Sequence, residues 1–227
     1  MTGSPATDAE RQEFLSFIVH ELKTPLTIIK GYSATLRRML DDEEASQMAA
    51  DIEQETDRVT RLVNQLLDVS RIESGGKTLQ AVEVEVLELV EDVVSRHRAR
   101  DSSRAMRVEA EEDELICLAE EGALRRVLDD LLLNARQYST AGEEVLVSAL
   151  RGEGFVTIAI QDQGPGIAAA DLPRLTEKGY RAAGANGDGL GLGLYIASGL
   201  LAMQGGELTV ESEAGRGSTF RVTLPAA

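Results

Sequence analysis

Phe14-Leu-Ser-Phe-Ile-Val-His20-Glu-Leu-Lys-Thr-Pro25-Leu26 sets one of only two histidines beside a carboxylate and a hydroxyl on a helical pattern. Phe14, Ile18, Leu22, Pro25, Ile29, Tyr32 and Leu36 recur at steps of three and four, which marks a helix with one apolar stripe. At about 100° per residue, His20 projects away from that stripe and toward solvent. Thr24 lies one turn on and Glu21 stands beside it, so three polar groups share one patch. Pro25 offers no N–H to the Glu21 carbonyl and crowds it, so a bend is expected next to His20. These residue types suit a histidine nucleophile. On periodicity alone, a coiled-coil spacer with an incidental surface histidine fits the same stretch.

Working outward, the first helix is expected over residues 8–40, and Asp41-Asp-Glu-Glu44 supplies a polar turn whose acidic groups favour a helix start. A second helix follows with Met48, Ile52, Glu55, Val59, Leu62, Leu66 and Val69 in heptad spacing, and Ser74-Gly-Gly76 ends it. A two-helix hairpin cannot bury both stripes alone. Pairing with a second copy into a four-helix bundle resolves this, so a homodimer is expected.

The 227 residues suit two modest domains, placed here at 1–76 and 77–227. With 39 acidic against 23 basic residues, the net charge of -16 argues against a nucleic acid partner. Cys117 is the single cysteine, which excludes a disulfide framework and fits a reducing cytoplasm. No apolar run approaches the roughly 20 residues of a membrane span, and the polar start is no signal peptide. Membrane contact by this segment is therefore not expected, although an upstream sensor or anchor is compatible with it.

After Gly76 the pattern becomes mixed α/β. Strands are expected at 78–82, 104–110, 114–118, 143–150, 154–161, 206–211 and 218–224, with helices at 85–100 and 120–138, giving an α/β sandwich behind the helical hairpin, an α+β chain. Asp162-Gln-Gly164-Pro-Gly166 ends a buried strand, where glycines admit a ligand and a fixed carboxylate can accept from an exocyclic amine. A sharp turn with a structural aspartate is the alternative. Gly187-Asp-Gly189-Leu190-Gly191-Leu192-Gly193 runs into an apolar helix, a way to hold phosphates on backbone N–H groups, yet it is neither a Rossmann turn nor a P-loop. Asp130 and Asn134 share one face of a helix whose buried stripe is Leu124, Val127, Leu128, Leu131 and Leu132; that pair can ligate magnesium or stand as surface polarity.

In this order the motifs closely resemble the catalytic core of a two-component sensor histidine kinase, from about Phe14 to Pro225. The carriers are His20-Glu-Leu-Lys-Thr-Pro25, the asparagine box at Asn134, Asp162-x-Gly164-x-Gly166, the glycine loop, and Gly215-Arg-Gly-Ser-Thr219. The resemblance implies a dimerisation and phosphotransfer hairpin followed by an ATP-binding domain of the GHKL type, shared with gyrase and MutL. It implies that Asp162 bonds the adenine amino group, that Asn134 with Asp130 holds Mg2+, and that Gly164, Gly166, the loop from Gly187 to Gly193 and Thr219 surround ATP. It also implies phosphorylation of His20 with Glu21 as its orienter, transfer to a response regulator aspartate, and a place for Thr24 in regulator dephosphorylation.

Departures from that pattern are visible. Asp130 stands for an asparagine, Gln137 for a lysine with Arg136 adjacent, and Thr176 and Gly179 for two phenylalanines. The lid over residues 167–187 is therefore expected to be weakly anchored, with Tyr180 and Arg181 matching the family and Arg181 placed for a phosphate contact. A dimeric scaffold that binds nucleotide without transfer is the alternative these departures raise. His97, among Arg96, Arg98 and Arg100, reads as a solvated surface residue with no carboxylate to orient it.

Overall fold

The computed structural model describes residues 8–39, 43–74, 80–100, 105–112, 114–139, 143–182 and 190–227, apart from the side chains at 8–18, 20, 21, 39 and 100. It divides into two compact units, Met1–Gly76 and Lys77–Ala227.

The first unit is a pair of long helices, α1 (Asp8–Met39) and α2 (Glu43–Glu73). Acidic Glu43 and Glu44 open α2 and basic Arg37 and Arg38 close α1, each complementing the helix dipole. The helices meet through buried Val19 and Ser33 on α1 and Ala49, Thr56 and Val63 on α2, the last three at heptad spacing. These side chains are small, so the backbones approach closely and the Ser33 hydroxyl donates to the Ala49 carbonyl. Lys30 pairs with Asp57 at 2.5 Å and Arg37 with Glu53 at 3.0 Å along the border of this seam.

The apolar stripes lie elsewhere on the hairpin. Leu22, Ile29, Tyr32 and Leu36 on α1, and Met48, Ile52, Val59 and Leu66 on α2, are exposed, Tyr32 by 69% and Met48 by 59%. α1 continues through Pro25 as one helix, and the Thr27 hydroxyl donates to the Lys23 carbonyl at 2.8 Å.

The second unit runs β1 (Val82–Glu85), α3 (Val86–Arg100), β2 (Met106–Ala110), β3 (Ile116–Ala119), α4 (Glu121–Tyr138), β4 (Val145–Arg151), β5 (Phe155–Asp162), α5 (Gly193–Ala202), β6 (Glu207–Glu213) and β7 (Gly217–Pro225). The main sheet has the order β2-β4-β5-β7-β6, parallel only between β2 and β4, where β3 and α4 form the crossover. β1 and β3 pair separately as a two-stranded sheet rather than joining the main one. The strand expected at 78–82 begins only at Val82, and residues 78 and 79 lie outside the described residues.

Alternation sorts the faces of the main sheet. Val156, Ile158 and Ile160 of β5 and Phe220, Val222 and Leu224 of β7 are buried, whereas Thr157, Ala159, Thr219, Arg221 and Thr223 are partly open. α4 buries Leu124, Val127, Leu128, Leu131 and Leu132 on the core, as its periodicity requires. The Glu85 carboxylate accepts from the Leu87 and Glu88 N–H groups and so caps the start of α3.

His97 corrects the sequence expectation. It is 3% exposed, and its Nε2 lies 3.1 Å from Asp129 Oδ1 on α4. The reason is helical phase: Val86, Val90, Val93 and His97 fall on one stripe of α3, and Asp129 supplies the carboxylate that the local arginine cluster concealed. Replacing His97 by alanine opens a cavity and removes its hydrogen bond to Asp129. We expect a loss of about 2 kcal/mol, read as a lower urea midpoint, and a smaller loss for Asp129→Ala, whose carboxylate stays hydrated.

Candidate functional site

Asp162 is the last residue of β5 and is 4% exposed. Its Oδ1 accepts from the Gly164 N–H at 2.8 Å, and the Ser218 N–H from the neighbouring strand also bonds the carboxylate. Burial pushes its carboxyl above the usual carboxylate range, and these two N–H groups offset part of that rise. The turn after Asp162 is wedged against the β6–β7 turn. Gly166 has φ 67°, and a Cβ there would lie 2.0 Å from the Glu213 carbonyl oxygen, so only glycine fits. The Gly215 N–H donates to the Pro165 carbonyl at 2.7 Å and fixes the same contact from the other side.

α4 borders this turn. Asp130 and Asn134 are half-buried, one turn apart, on a flank of α4 beside its apolar stripe, and Tyr138 lies at its end, where its carbonyl oxygen sits against Gly164. α5 begins at Gly193, with no side-chain cap on its first turn and nothing within 4 Å of where a Gly193 Cβ would stand. Leu190 is exposed and Leu192 half-buried, while Gly187 and Gly189 lie outside the described residues.

The expectation of a weak lid fails for its described portion, residues 167–182. The Tyr180 hydroxyl donates to Asp171 at 2.6 Å, and the Arg174 guanidinium stacks 4.2 Å from the ring centroid. That bond to Asp171 is also what raises the Tyr180 phenol above its ordinary range. The Gly179 N–H donates to the Gly191 carbonyl at 3.1 Å, so the two ends of the loop are tied together. Leu175 is buried beside Thr176 and supplies apolar anchorage that the missing phenylalanines led us to discount. Tyr180 is thus committed to holding the loop, and exposed Arg181 follows it.

Two further positions need comment. Thr219 pairs with Gln161 on β5, and by alternation its side chain leaves the sheet on the face opposite Asp162. Ser218, its neighbour, is buried and directly opposite Asp162, so the hydroxyl beside the carboxylate is that of Ser218. The register between β5 and β7 decides this, and the motif alone does not carry it. In the other unit, His20 and Glu21 belong to α1 with side chains outside the described residues, and Thr24 is exposed.

A strand-end carboxylate walled by glycines, a polar helix flank and an uncapped helix start thus lie in the second unit of a chain whose first unit is a helical hairpin. Two family models match in tandem: the His Kinase A (phospho-acceptor) domain over residues 10–75, and the histidine kinase-, DNA gyrase B-, and HSP90-like ATPase over residues 119–227. Sensor protein SrrB of Staphylococcus aureus is 27% identical over 231 residues, covering 99% of this chain. The chain spans 40% of the length of that relative.

Among solved structures, full-length ShkA in complex with AMPPNP superposes with a TM-score of 0.73 at 30% identity, over 95% of this chain and 46% of that one. A mycobacterial sensor histidine kinase, MprB, gives a TM-score of 0.58 at 26% identity, over 64% of this chain and 97% of that one. The chain belongs to the two-component histidine kinases and carries their catalytic core.

The raised carboxyl of Asp162 has a consequence for stability. Because the folded value lies above the unfolded one, near 4, stability falls as pH rises between the two. Above that interval the ionised carboxylate opposes folding. Asp162→Asn keeps an oxygen for the Gly164 N–H and removes the charge, so at pH 7 the variant melts no lower than the parent. Its advantage disappears as the pH falls below about 4, a trend that thermal melts across pH will show.

Proposed function

We propose that this chain binds ATP at the Asp162 site and transfers its γ-phosphoryl group to His20, from which the group passes to an aspartate of a response regulator. The observation that carries this reading is Asp162 itself: a buried carboxylate fixed by two backbone N–H groups, with no ion pair among the described residues. Such a group suits a neutral amine, and the adenine amino group is one. Gly164 and Gly166 let the adjoining turn pack against the Tyr138 and Glu213 carbonyls, which holds the carboxylate in place.

Asn134 and Asp130 fit magnesium as an amide and a carboxylate oxygen on one helix flank, with phosphate oxygens and water completing its shell. Bound there, the ion would offset negative charge on the triphosphate. The uncapped first turn of α5, the loop from Gly187 through Leu190, Gly191 and Leu192 to Gly193, and Arg181 are assigned to the phosphates. Thr219 has no place in this assignment, and Ser218 takes it.

In the transfer step, a ring nitrogen of neutral His20 attacks the γ-phosphorus. The N–P bond forms while the bond to the β,γ-bridging oxygen breaks, and that electron pair leaves with ADP. Glu21 accepts the hydrogen bond of the other ring N–H and stabilises the charge that develops on the imidazole. Thr24, exposed one turn on, is assigned to orienting water for regulator dephosphorylation. The alternative of a scaffold without transfer has no support in the tandem family match.

The exposed stripes of α1 and α2 support dimerisation into a four-helix bundle, since Leu22, Ile29, Leu36, Ile52, Val59 and Leu66 remain 38–50% exposed. Replacing Ile52 and Val59 together by glutamate should shift the mass in sedimentation from dimer to monomer. For the chemistry, γ-labelled ATP with magnesium is expected to leave an acid-labile, alkali-stable label on the parent and none on His20→Gln. A label of the same stability on that variant would place the acceptor elsewhere.

A further inference from the structure

Asp162, Ser218 and Ser212 form one row across β5, β7 and β6, each directly opposite the next. Ser212 sits at the hub of three contacts. Its Oγ accepts from the Ile167 N–H at 2.8 Å, donates to the Gly217 carbonyl at 2.7 Å, and lies 3.0 Å from Ser218 Oγ. A hydroxyl has one hydrogen, and a carbonyl can only accept. The Ser212 hydrogen is therefore spent on Gly217, so in the contact between the two serines Ser218 is the donor. With its own hydrogen turned to Ser212, Ser218 has only lone pairs left to show on the Asp162 side.

We propose that Ser212 is a positioning residue, which fixes the Ser218 hydroxyl as an acceptor beside Asp162 and sharpens selection for a base bearing an amino group over one bearing a carbonyl. This rests on the reading that the nucleotide base lies at Asp162. Beside an acceptor-only row, a base carbonyl meets lone pairs and forfeits its hydrogen bond, while an amino group is satisfied. Ile167 closes the Asp162 turn, so the same hydroxyl also ties that turn to β6.

The test is the ratio of affinities for ATP and inosine triphosphate, which differ at the base 6-position. In Ser212→Ala the Ser218 hydroxyl is free to turn and donate, so the preference for ATP should fall about tenfold. A purely structural role for Ser212 would weaken both nucleotides alike and leave the ratio unchanged, and that result would overturn the proposal. Ser212→Thr, which retains the hydroxyl, should restore the parental ratio. In a Ser218→Ala background, Ser212→Ala should no longer move the ratio; if it still does, the effect does not run through Ser218. Should Ser212→Ala fail to fold by circular dichroism, Ser218→Ala alone must lower the ratio or the proposal fails. If the parent binds neither nucleotide, the assignment of the site has failed, which is distinct from a parent that prefers ATP with a ratio insensitive to Ser212.

Discussion

A carboxylate buried at the end of a strand, with no cation beside it among the described residues, is the constraint around which the second unit is arranged. Taking that group out of water is costly, and the fold offsets the cost with hydrogen bonds rather than charge: one from Gly164 in its own turn and one from Ser218 across the sheet. Both need the backbone within hydrogen-bond reach. That demand explains the neighbouring glycines, because at Gly166 the facing carbonyl occupies the place of a Cβ. It also explains why the β6–β7 turn packs on the Asp162 turn, with Ser212 joining the two.

The hairpin follows another logic. Its inner seam is small and partly polar, with Ser33, Ala49, Thr56 and Val63, while the larger apolar side chains face outward. An isolated pair of helices with that arrangement gains little from its own contact and leaves much apolar surface in water. Met48, Ile52, Val59 and Leu66 keep heptad-related spacing along an exposed face of α2.

Much of this was legible in the sequence because period and punctuation are local properties. The two helices, α4 with its leucine stripe, and the β4–β5 hairpin followed from spacing and turn residues. The motifs Asp162-x-Gly164-x-Gly166 and His20 to Pro25 were readable as residue types. What could not be read depends on pairing between distant segments. His97 looked solvated among arginines because its carboxylate lies 32 residues away on α4. Thr219 was named without Ser218 because a motif shows adjacency, whereas strand parity decides which of two neighbours faces the carboxylate. The lid looked loose because its phenylalanines are absent, while Tyr180, Asp171 and Arg174 bind it through contacts that no spacing rule announces.

The central position of β7 in the sheet has one more implication. This strand, Gly217–Pro225, is the last in the chain, yet it lies between β5 and β6 and provides the Ser218 N–H for Asp162. Until it docks, β5 has an open edge and Asp162 lacks one of its two partners. Docking of β7 therefore closes the edge of β5 and completes the hydrogen bonding of Asp162 in one step, so a change that loosens this strand disturbs the carboxylate as well.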